Sequence, residues 1–330
     1  MTVPPTLQLG LFAATADEQT SAKVDLEAER LAALLPPHVR LGTSSWTFSG
    51  WKGLVYEGDT RMPALTRDGL RAYAKHPLFR TVGIDRSYYA PLTEADLAAY
   101  AAALPDGFET VSKVWDEVTT FVFPDHPRYG ARAGKKNPRF LDAGLVRELV
   151  LPAYAAAFAS HTGPFLLELA PVRSLLRDDQ ASILVAIERL LSGLPETFSY
   201  AFELRTPSLL CARYLDTLRA YRAAHTLSSW TGMPDLATQL RVPGVLTAPF
   251  AVARLTLPPG LRYEDAKATL APFDRIGSPQ PAMRRAVVAL SRRCAEEGRT
   301  LTVLVGNKAE GSAPLTVRAL AEEIGASRGP

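Results

Sequence analysis

The sequence predicts an α/β protein of the TIM-barrel class, in which eight parallel strands alternate with helices around a closed ring. Short apolar runs alternate along the chain with longer segments that have helical apolar spacing, and we count eight such runs. No run is followed by the glycine-rich turn G-x-G-x-x-G, which weakens the alternative of a doubly wound sheet in two halves. The predicted strands are 38–46, 81–87, 108–114, 163–170, 199–205, 225–230, 251–257 and 300–307.

The first 37 residues differ in pattern from the rest of the chain. Residues 2–20 have no sustained periodicity, whereas residues 24–35 have helical apolar spacing that stops at Pro36 and Pro37. We therefore expect a flexible amino-terminal arm with a short helix over 1–37, followed by one barrel domain over 38–330.

The segments between the runs carry helix signals of their own. Thr93 followed by Glu94 and Asp96 resembles a capping box that opens a helix to Leu104, and Pro207 suits the first turn of a helix that runs to about Ala223. Weaker helical spacing covers 178–191, 279–296 and 313–324, with only a short helix expected at 234–240.

Two connections are long and lie on the same predicted face, after strands one and three. Residues 46–66 form the first. Residues 115–142 form the second, which is rich in proline and glycine and is either a lid over the barrel mouth or a solvated loop. Its basic residues are Arg128, Arg132, Lys135, Lys136 and Arg139.

Composition excludes several classes of protein. The 37 basic and 34 acidic residues give a net charge of +3, which argues neither for nor against a polyanionic partner such as nucleic acid. No apolar stretch is long enough to span a membrane, and the first ten residues lack the features of a signal peptide, so we expect a cytoplasmic protein. Cys211 and Cys294 are far apart and without a C-x-x-C pattern, which indicates buried thiols.

The segment 199–205 shows why the barrel mouth should be polar. With a period of two, Ala201, Glu203 and Arg205 share the inner face, so the strand ends inward in an acid and a base. Such charges are costly to bury unless they are paired or face water, and a structural ion pair that closes the barrel remains an alternative. The same reasoning places these side chains at the mouth: Ser44, Trp46, Asp85, Ser87, Lys113, Glu168, Glu203, Arg205, Trp230, Arg254 and Asn307.

Two chemistries fit this ring of residues. The sequence argues against a zinc cluster, because only His126, among five histidines, falls in a mouth loop. Asp85, Glu168 and Glu203 could hold a single magnesium ion. Acid and base catalysis would instead use Glu168 and Glu203, about 5 Å apart on adjacent strands. Neighbouring cations would hold one carboxylate ionised while the other keeps a proton, as in glycoside or ester hydrolases. The alternative is that each carboxylate is neutralised by a neighbouring cation.

These arguments give two sets of candidate residues. The catalytic set is Glu203, Arg205, Lys113, Glu168 and Asp85; the ligand-binding set is Trp46, Tyr89, Trp230, Arg254, Asn307 and Lys308. We expect a small anionic or sugar-like ligand, and both an enzyme and a binding module remain open.

Several spaced motifs point to a family: Gly42-Thr43-Ser44-Ser45-Trp46, Lys113, Glu203-Leu204-Arg205, and Val305-Gly306-Asn307-Lys308 followed by Gly311 and Ala313. Over residues 39–324 they resemble the YecE-like family, a bacterial and archaeal domain of unknown function numbered seventy-two. The resemblance implies a TIM barrel but no established activity. The chain departs from the family pattern where Asp85 replaces asparagine, Gly83 replaces an inward glutamate, Glu168 replaces glutamine, and Thr206 and Thr256 stand near frequent histidines.

The arm contains a further motif, formed by Gln8, Leu9, Gly10, Leu11 and Phe12. It resembles the bacterial sliding-clamp-binding pentapeptide, in which glutamine fills a polar pocket while leucine and phenylalanine enter an apolar groove. This resemblance implies a second possible role, as a DNA-maintenance accessory or a weak nucleic-acid-binding module tethered to the clamp. Alternatively, Leu9, Leu11 and Phe12 pack on the barrel's own surface.

Overall fold

A computed structural model describes residues 19–23, 25–172 and 175–327 of the chain. Eight parallel strands form a closed barrel, which confirms the predicted fold class. Each strand pairs with the next along the chain, and β8 pairs with β1. The strands are β1 (Val39–Thr43), β2 (Thr81–Ile84), β3 (Thr110–Lys113), β4 (Thr162–Glu168), β5 (Tyr200–Glu203), β6 (Ala224–Ser229), β7 (Phe250–Leu255) and β8 (Thr300–Val305).

Helices surround the barrel, and the capping box at Thr93 and Asp96 is present as predicted. One expectation was wrong. Pro207 opens only a 3₁₀ turn at Pro207–Leu209, because Cys211 is extended and the helix starts after it. The α-helices are Leu26–Leu34, Met62–Ala74, Glu94–Ala101, Asp116–Thr119, Ala143–Leu145, Leu151–Ala157, Arg177–Gly193, Ala212–Ala220, Leu236–Leu240, Tyr263–Leu270, Pro281–Glu296 and Ala313–Ala326, with a π-helix at Val146–Val150.

The described part of the arm is held against the barrel. Ser21–Ala22 pairs with Tyr56–Glu57 in a small antiparallel sheet. The helix Leu26–Leu34 comes next, capped by the Asp25 carboxylate, which accepts a hydrogen bond from the Ala28 amide at 3.0 Å. The Arg80 guanidinium donates to the carbonyl of Ala32 at 2.7 Å, and so joins this helix to the start of β2.

The barrel interior has an apolar layer below a charged one. Because side chains alternate along each strand, inward residues of six strands meet with Ala248 in one buried cluster: Val111, Leu166, Ala201, Ala224, Val252 and Leu304. The next inward positions toward the carboxyl ends are Lys113, Glu168, Glu203, Arg254 and Gly306; on β6, Thr226 follows Ala224 and Ser228 pairs with Arg254. A larger apolar cluster fills the space between the strands and the helices. No helix in the described ranges is long and apolar enough to span a bilayer.

Glycines allow β1 and β2 to approach each other closely. A Cβ atom on Gly42 would lie 2.0 Å from the Thr81 carbonyl oxygen, and one on Gly83 would lie 2.7 Å from the Ser44 carbonyl oxygen. Backbone atoms cannot move aside as a flexible side chain can, so this pair of strands depends on the absence of Cβ atoms.

We expect Gly42→Ala to destabilise the fold by about 3 kcal/mol, because the added methyl group would push β1 and β2 apart. Gly69→Ala is the matched control, since Gly69 lies in the helix Met62–Ala74 and its Cβ would meet Leu65 and Trp46 only at 3.5 Å. This control should be neutral or stabilising by about 0.5–1 kcal/mol. Thermal unfolding of the two variants checks the prediction, and equal midpoints would contradict it.

Candidate functional site

Six charged side chains meet where the strands end at the carboxyl-terminal face of the barrel. We call them the mouth cluster. Lys113, Glu168 and Glu203 are the last residues of β3, β4 and β5, and Arg254 lies one residue before the end of β7. Asp85 directly follows β2, and Arg205 lies two residues beyond the end of β5. The mouth cluster therefore comprises Asp85, Lys113, Glu168, Glu203, Arg205 and Arg254.

Two guanidinium groups bridge the two glutamates. Glu168 and Glu203 occupy paired positions on β4 and β5, as the sequence predicts for adjacent strands. Arg254 Nη1 donates to Glu168 Oε2 at 2.7 Å and also to Glu203 Oε2. Arg205 Nη2 lies 2.8 Å from Glu168 Oε2 and 3.2 Å from Glu203 Oε1. The four groups form a closed ring of alternating charge.

Lys113 extends this ring toward solvent. Its ammonium lies 3.0 Å from Glu168 Oε2 and 3.4 Å from Asp85 Oδ1. The side chains of Glu203 and Arg254 are almost wholly buried, whereas that of Asp85 is 38% exposed. The mouth cluster is thus sealed at its base and reachable from the side of β2 and β3.

The three cations keep Glu168 ionised. Burial by itself raises the pKa of this carboxyl group, but the charges of Arg205, Lys113 and Arg254 outweigh burial and hold the pKa well below its usual range. Burial likewise opposes the charge on Arg254, but Glu203 and Glu168 raise the pKa of its guanidinium above the usual value. Glu168 is therefore ionised in the absence of a ligand.

Four buried donors near the mouth have no hydrogen-bond partner within the described protein. They are Arg205 Nε, Arg254 Nε, Ser44 Oγ and Ser228 Oγ. Ser228 is paired with Arg254 across β6 and β7, and Ser44 directly follows β1. Leaving a buried polar group unpaired costs about 1–3 kcal/mol. Four unpaired donors at one end of the barrel therefore favour a binding site for a ligand with oxygen acceptors.

Three predicted ligand-binding residues lie on the rim of the mouth. The Arg205 guanidinium stacks 3.8 Å above the ring of Trp230. Tyr89 is 64% exposed, and Lys308 Nζ lies 4.1 Å above the ring of Tyr263. They surround the mouth cluster without forming part of its ion pairs.

Two predicted ligand-binding residues have structural positions instead. Trp46 is 8% exposed and packs edge to face against Tyr100, in the layer between strands and helices. The sequence argument extended the alternation of β1 to residue 46, but the strand ends at Thr43. Asn307 Oδ1 accepts hydrogen bonds from Trp51 Nε1 at 3.1 Å and from the Ala313 amide at 2.9 Å, so it connects a loop to the start of the last helix.

Sequence reasoning did not assign Tyr88 or Arg128 to the site. Lys113 Nζ lies 5.1 Å from the centre of the Tyr88 ring, and Arg128 lies over both Tyr88 and Tyr89. Arg128 also pairs with the buried Asp116 carboxylate. The sequence shows Arg128 as a basic residue in a long loop, but it does not show that Arg128 contacts Tyr88 and Tyr89, which are distant in sequence.

The long loop 115–142 is held in place by internal hydrogen bonds and by ion pairs. The Asn137 side-chain amide donates to the carbonyls of Glu117 and Thr120 at 2.7 and 3.0 Å. Four of its five predicted cations pair with acids, which leaves little unbalanced positive charge for a polyanion: Arg128 with Asp116, Arg132 with Glu117, Lys136 with Asp179, and Arg139 with Asp142.

The arrangement is a poor match for a metal centre. Among the residues that the structure describes, no group of three or more His, Cys, Asp or Glu side chains could hold an ion. Asp85, Glu168 and Glu203, which the sequence suggests for magnesium, each lie within ion-pair distance of Lys113, Arg205 or Arg254. A magnesium ion would have to displace those cations.

Comparison with known proteins identifies the family of the chain. The family described as protein of unknown function DUF72 matches residues 40–330, and the chain belongs to this family. The YecE-like family is the same family, so the resemblance found in the sequence is confirmed. A comparison with curated proteins finds no match.

Solved structures of the family share the fold. A DUF72 family protein from Thermotoga maritima is 14% identical, with a TM-score of 0.58, over 87% of this chain and 98% of that chain. One from Enterococcus faecalis is 16% identical, with a TM-score of 0.57, over 87% and 94% of the two chains. The overlap with ZgEngAGH5_4 in complex with a cellotriose is much poorer, at 13% identity, 73% and 90% coverage and a TM-score of 0.30, and supports no inference.

The depressed pKa of Glu168 makes stability depend on pH. The stabilisation is present above the ordinary carboxyl pKa of 4.5 and is lost as pH falls through the lower pKa of the folded protein. Between about pH 5 and about pH 3, we expect the unfolding midpoint of the wild type to fall at least about 3 °C further than that of Glu168→Gln. Glu188→Gln, on an exposed helix surface, should retain the wild-type acid slope. Identical slopes in all three proteins would contradict the assignment.

Proposed function

We propose that the mouth cluster binds a small anionic ligand and that the Glu168 and Glu203 pair then performs acid and base chemistry on it, as in a hydrolase or another proton-transferring enzyme. The observation that carries this proposal is the group of four unpartnered buried donors at the end of the barrel where the paired carboxylates lie. Each of these donors is suited to an oxygen acceptor, and none of the four atoms is a carboxylate oxygen that would repel an anion.

Access to the cations favours an anion over a neutral ligand. The side chains of Lys113 and Arg205 are 11% and 12% exposed, whereas that of Arg254 is 3% exposed. Lys113 and Arg205 can therefore meet an incoming oxyanion while Arg254 continues to bridge the glutamates. Bidentate contact from a guanidinium is well suited to phosphate or carboxylate oxygens.

Binding of an anion would also change the chemistry of Glu168. In the free protein Arg205 and Lys113 are the strongest of the charges that lower its pKa against the effect of burial. A ligand that shares these two cations weakens their attraction, and the burial of Glu168 then raises its pKa. The carboxylate becomes able to accept a proton when substrate is present, which couples binding to proton transfer.

Two other ligand and function classes are compatible with the same site. A polyhydroxylated ligand could satisfy the unpaired donors and would not require the cations. A binding module would use the cations and show no proton transfer. Ligand charge and turnover separate these outcomes.

We expect inorganic phosphate and ribose 5-phosphate, but not ribose, to raise the unfolding midpoint of the wild type. Arg205→Met and Lys113→Met should each weaken this binding at least about tenfold, because each removes a charge-assisted contact. Arg139→Met, which lies in the loop and is 53% exposed, is the control and should bind as the wild type does. Stabilisation that is equal in Arg205→Met and wild type would place the ligand elsewhere.

Glu203→Gln distinguishes an enzyme from a binding module once a substrate among phosphorylated metabolites is found. Loss of turnover with binding retained supports acid and base catalysis, and binding without turnover in the wild type supports the module. A response to ribose that matches the response to ribose 5-phosphate would favour a polyhydroxylated ligand.

We also propose, as the alternative role, that the arm tethers the barrel to the replication clamp. The residues concerned, Gln8, Leu9, Leu11 and Phe12, lie outside the described part of the chain. Support comes from the sequence resemblance alone. A tether would raise the local concentration of the barrel at DNA without a strongly basic surface, which is compatible with the net charge of +3.

Binding of purified sliding clamp to the full chain tests this role. The triple variant Gln8→Ala, Leu11→Ala, Phe12→Ala should lose at least about tenfold in affinity if the pentapeptide makes the contact. Lys135→Ala with Lys136→Ala is the matched change outside the arm and should leave clamp affinity unaltered. Equal affinity of the triple variant and the wild type, or no binding by either, would rule out the tether.

A further inference from the structure

The rim beside β2 and β3 presents an exposed aromatic ring next to a fixed cation. Tyr89 is 64% exposed, and the Arg128 guanidinium carbon lies 4.8 Å from the centre of its ring. A single exposed tyrosine needs no special explanation. A tyrosine that is held by a planar cation at the edge of a charged mouth is a surface on which another planar group can stack.

Arg128 is held in place by a buried support. The Asp116 side chain, 5% exposed, pairs with the guanidinium, and the hydroxyl of Tyr129 donates to the same carboxylate oxygen at 2.7 Å. The Arg128 guanidinium also lies 5.2 Å from the Tyr129 ring and 5.8 Å from the Tyr88 ring. Burial and the bond to Asp116 raise the pKa of Tyr129 to about 12, so its hydroxyl remains a donor. The orientation of Arg128 is therefore set before any ligand arrives.

A continuous path joins this surface to the mouth cluster. Lys113 Nζ lies 5.1 Å from the centre of the Tyr88 ring, and the rings of Tyr88 and Tyr89 are 5.6 Å apart at 86°. One aromatic ring thus separates the Lys113 ammonium from Tyr89. A ligand whose anionic group meets Lys113 can extend past Tyr88 to Tyr89.

We propose that the ligand of the mouth carries a planar aromatic ring as well as its anionic group, in the manner of a phosphate–ribose–base unit, and that this ring stacks on Tyr89. This inference rests on the proposed anion site. It narrows the ligand from any small oxyanion to a nucleotide, either free or at the end of a nucleic-acid strand. Stacking on an aromatic side chain does not require a particular base.

The chain supplies a matched control in Tyr263. This tyrosine is 51% exposed and has Lys308 Nζ 4.1 Å above its ring, so the local contact is similar. Lys308, however, is not a member of the mouth cluster. If the ring of the ligand stacks on Tyr89 because Tyr89 is close to Lys113, replacing Tyr263 will leave binding of the ring unchanged, whereas replacing Tyr89 will weaken it.

The test compares AMP with ribose 5-phosphate, which lacks only the base, by isothermal titration of the full chain. We expect AMP to bind wild type about tenfold more tightly, because stacking of one base contributes that much or more. Tyr89→Ala should reduce the preference to less than about twofold, whereas Tyr89→Phe and Tyr263→Ala should retain it. If a short single-stranded oligonucleotide binds and Tyr89→Ala weakens its binding as it weakens that of AMP, the nucleotide recognised is at the end of a nucleic-acid strand.

Each outcome separates this inference from the proposal on which it rests. If AMP and ribose 5-phosphate bind equally and both depend on Arg205, the anion site stands and the stacking proposal is overturned. If neither ligand binds, or if Arg205→Met changes neither affinity, the anion site fails and the inference fails with it. If Tyr89→Ala lowers the unfolding midpoint by several degrees but retains the preference for AMP, Tyr89 only supports loop 115–142 and the stacking proposal is overturned.

Discussion

The bridging of Glu168 and Glu203 by Arg254 and Arg205 is the interaction on which the rest of the mouth depends. Two carboxylates at paired positions on neighbouring strands would repel each other strongly in a buried site. Arg254 contacts both of them from β7, and Arg205 contacts both from just beyond β5. Three carboxylates and three cations balance one another in the mouth cluster, so the barrel can keep charged groups at its centre.

This balance is informative about function because it is not the most stable way to close a barrel. Buried ion pairs rarely stabilise a protein more than well-packed apolar residues of similar size. The apolar cluster below the mouth cluster includes Leu166, Ala201 and Val252, which lie on the strands that carry Glu168, Glu203 and Arg254, so the same strands can fill the interior without charge. The charges of the mouth cluster lie at the carboxyl-terminal face, where TIM-barrel enzymes carry their active sites.

The loops around the mouth are arranged to serve that face. Loop 115–142 places Arg128 against Tyr88 and Tyr89. Ion pairs of Arg132 with Glu117 and of Lys136 with Asp179 hold the loop in place. On another part of the rim, Trp230 supports Arg205. Aromatic rings therefore hold two of the cations on the rim, and side-chain positions there depend on stacking as well as on charge.

The sequence by itself determined the eight strands and the inward direction of Glu168, Glu203, Lys113 and Arg254, because a period of two and the turn signals are local properties of the chain. Where the period was extended past the true end of β1, it misplaced Trp46. Only the tertiary structure decided which charges pair. Arg254 and Glu168 are separated by 86 residues and meet across the barrel interior, and Arg128 reaches Tyr89 from a loop. Such contacts depend on the closure of the ring and on side-chain reach, which no local pattern contains.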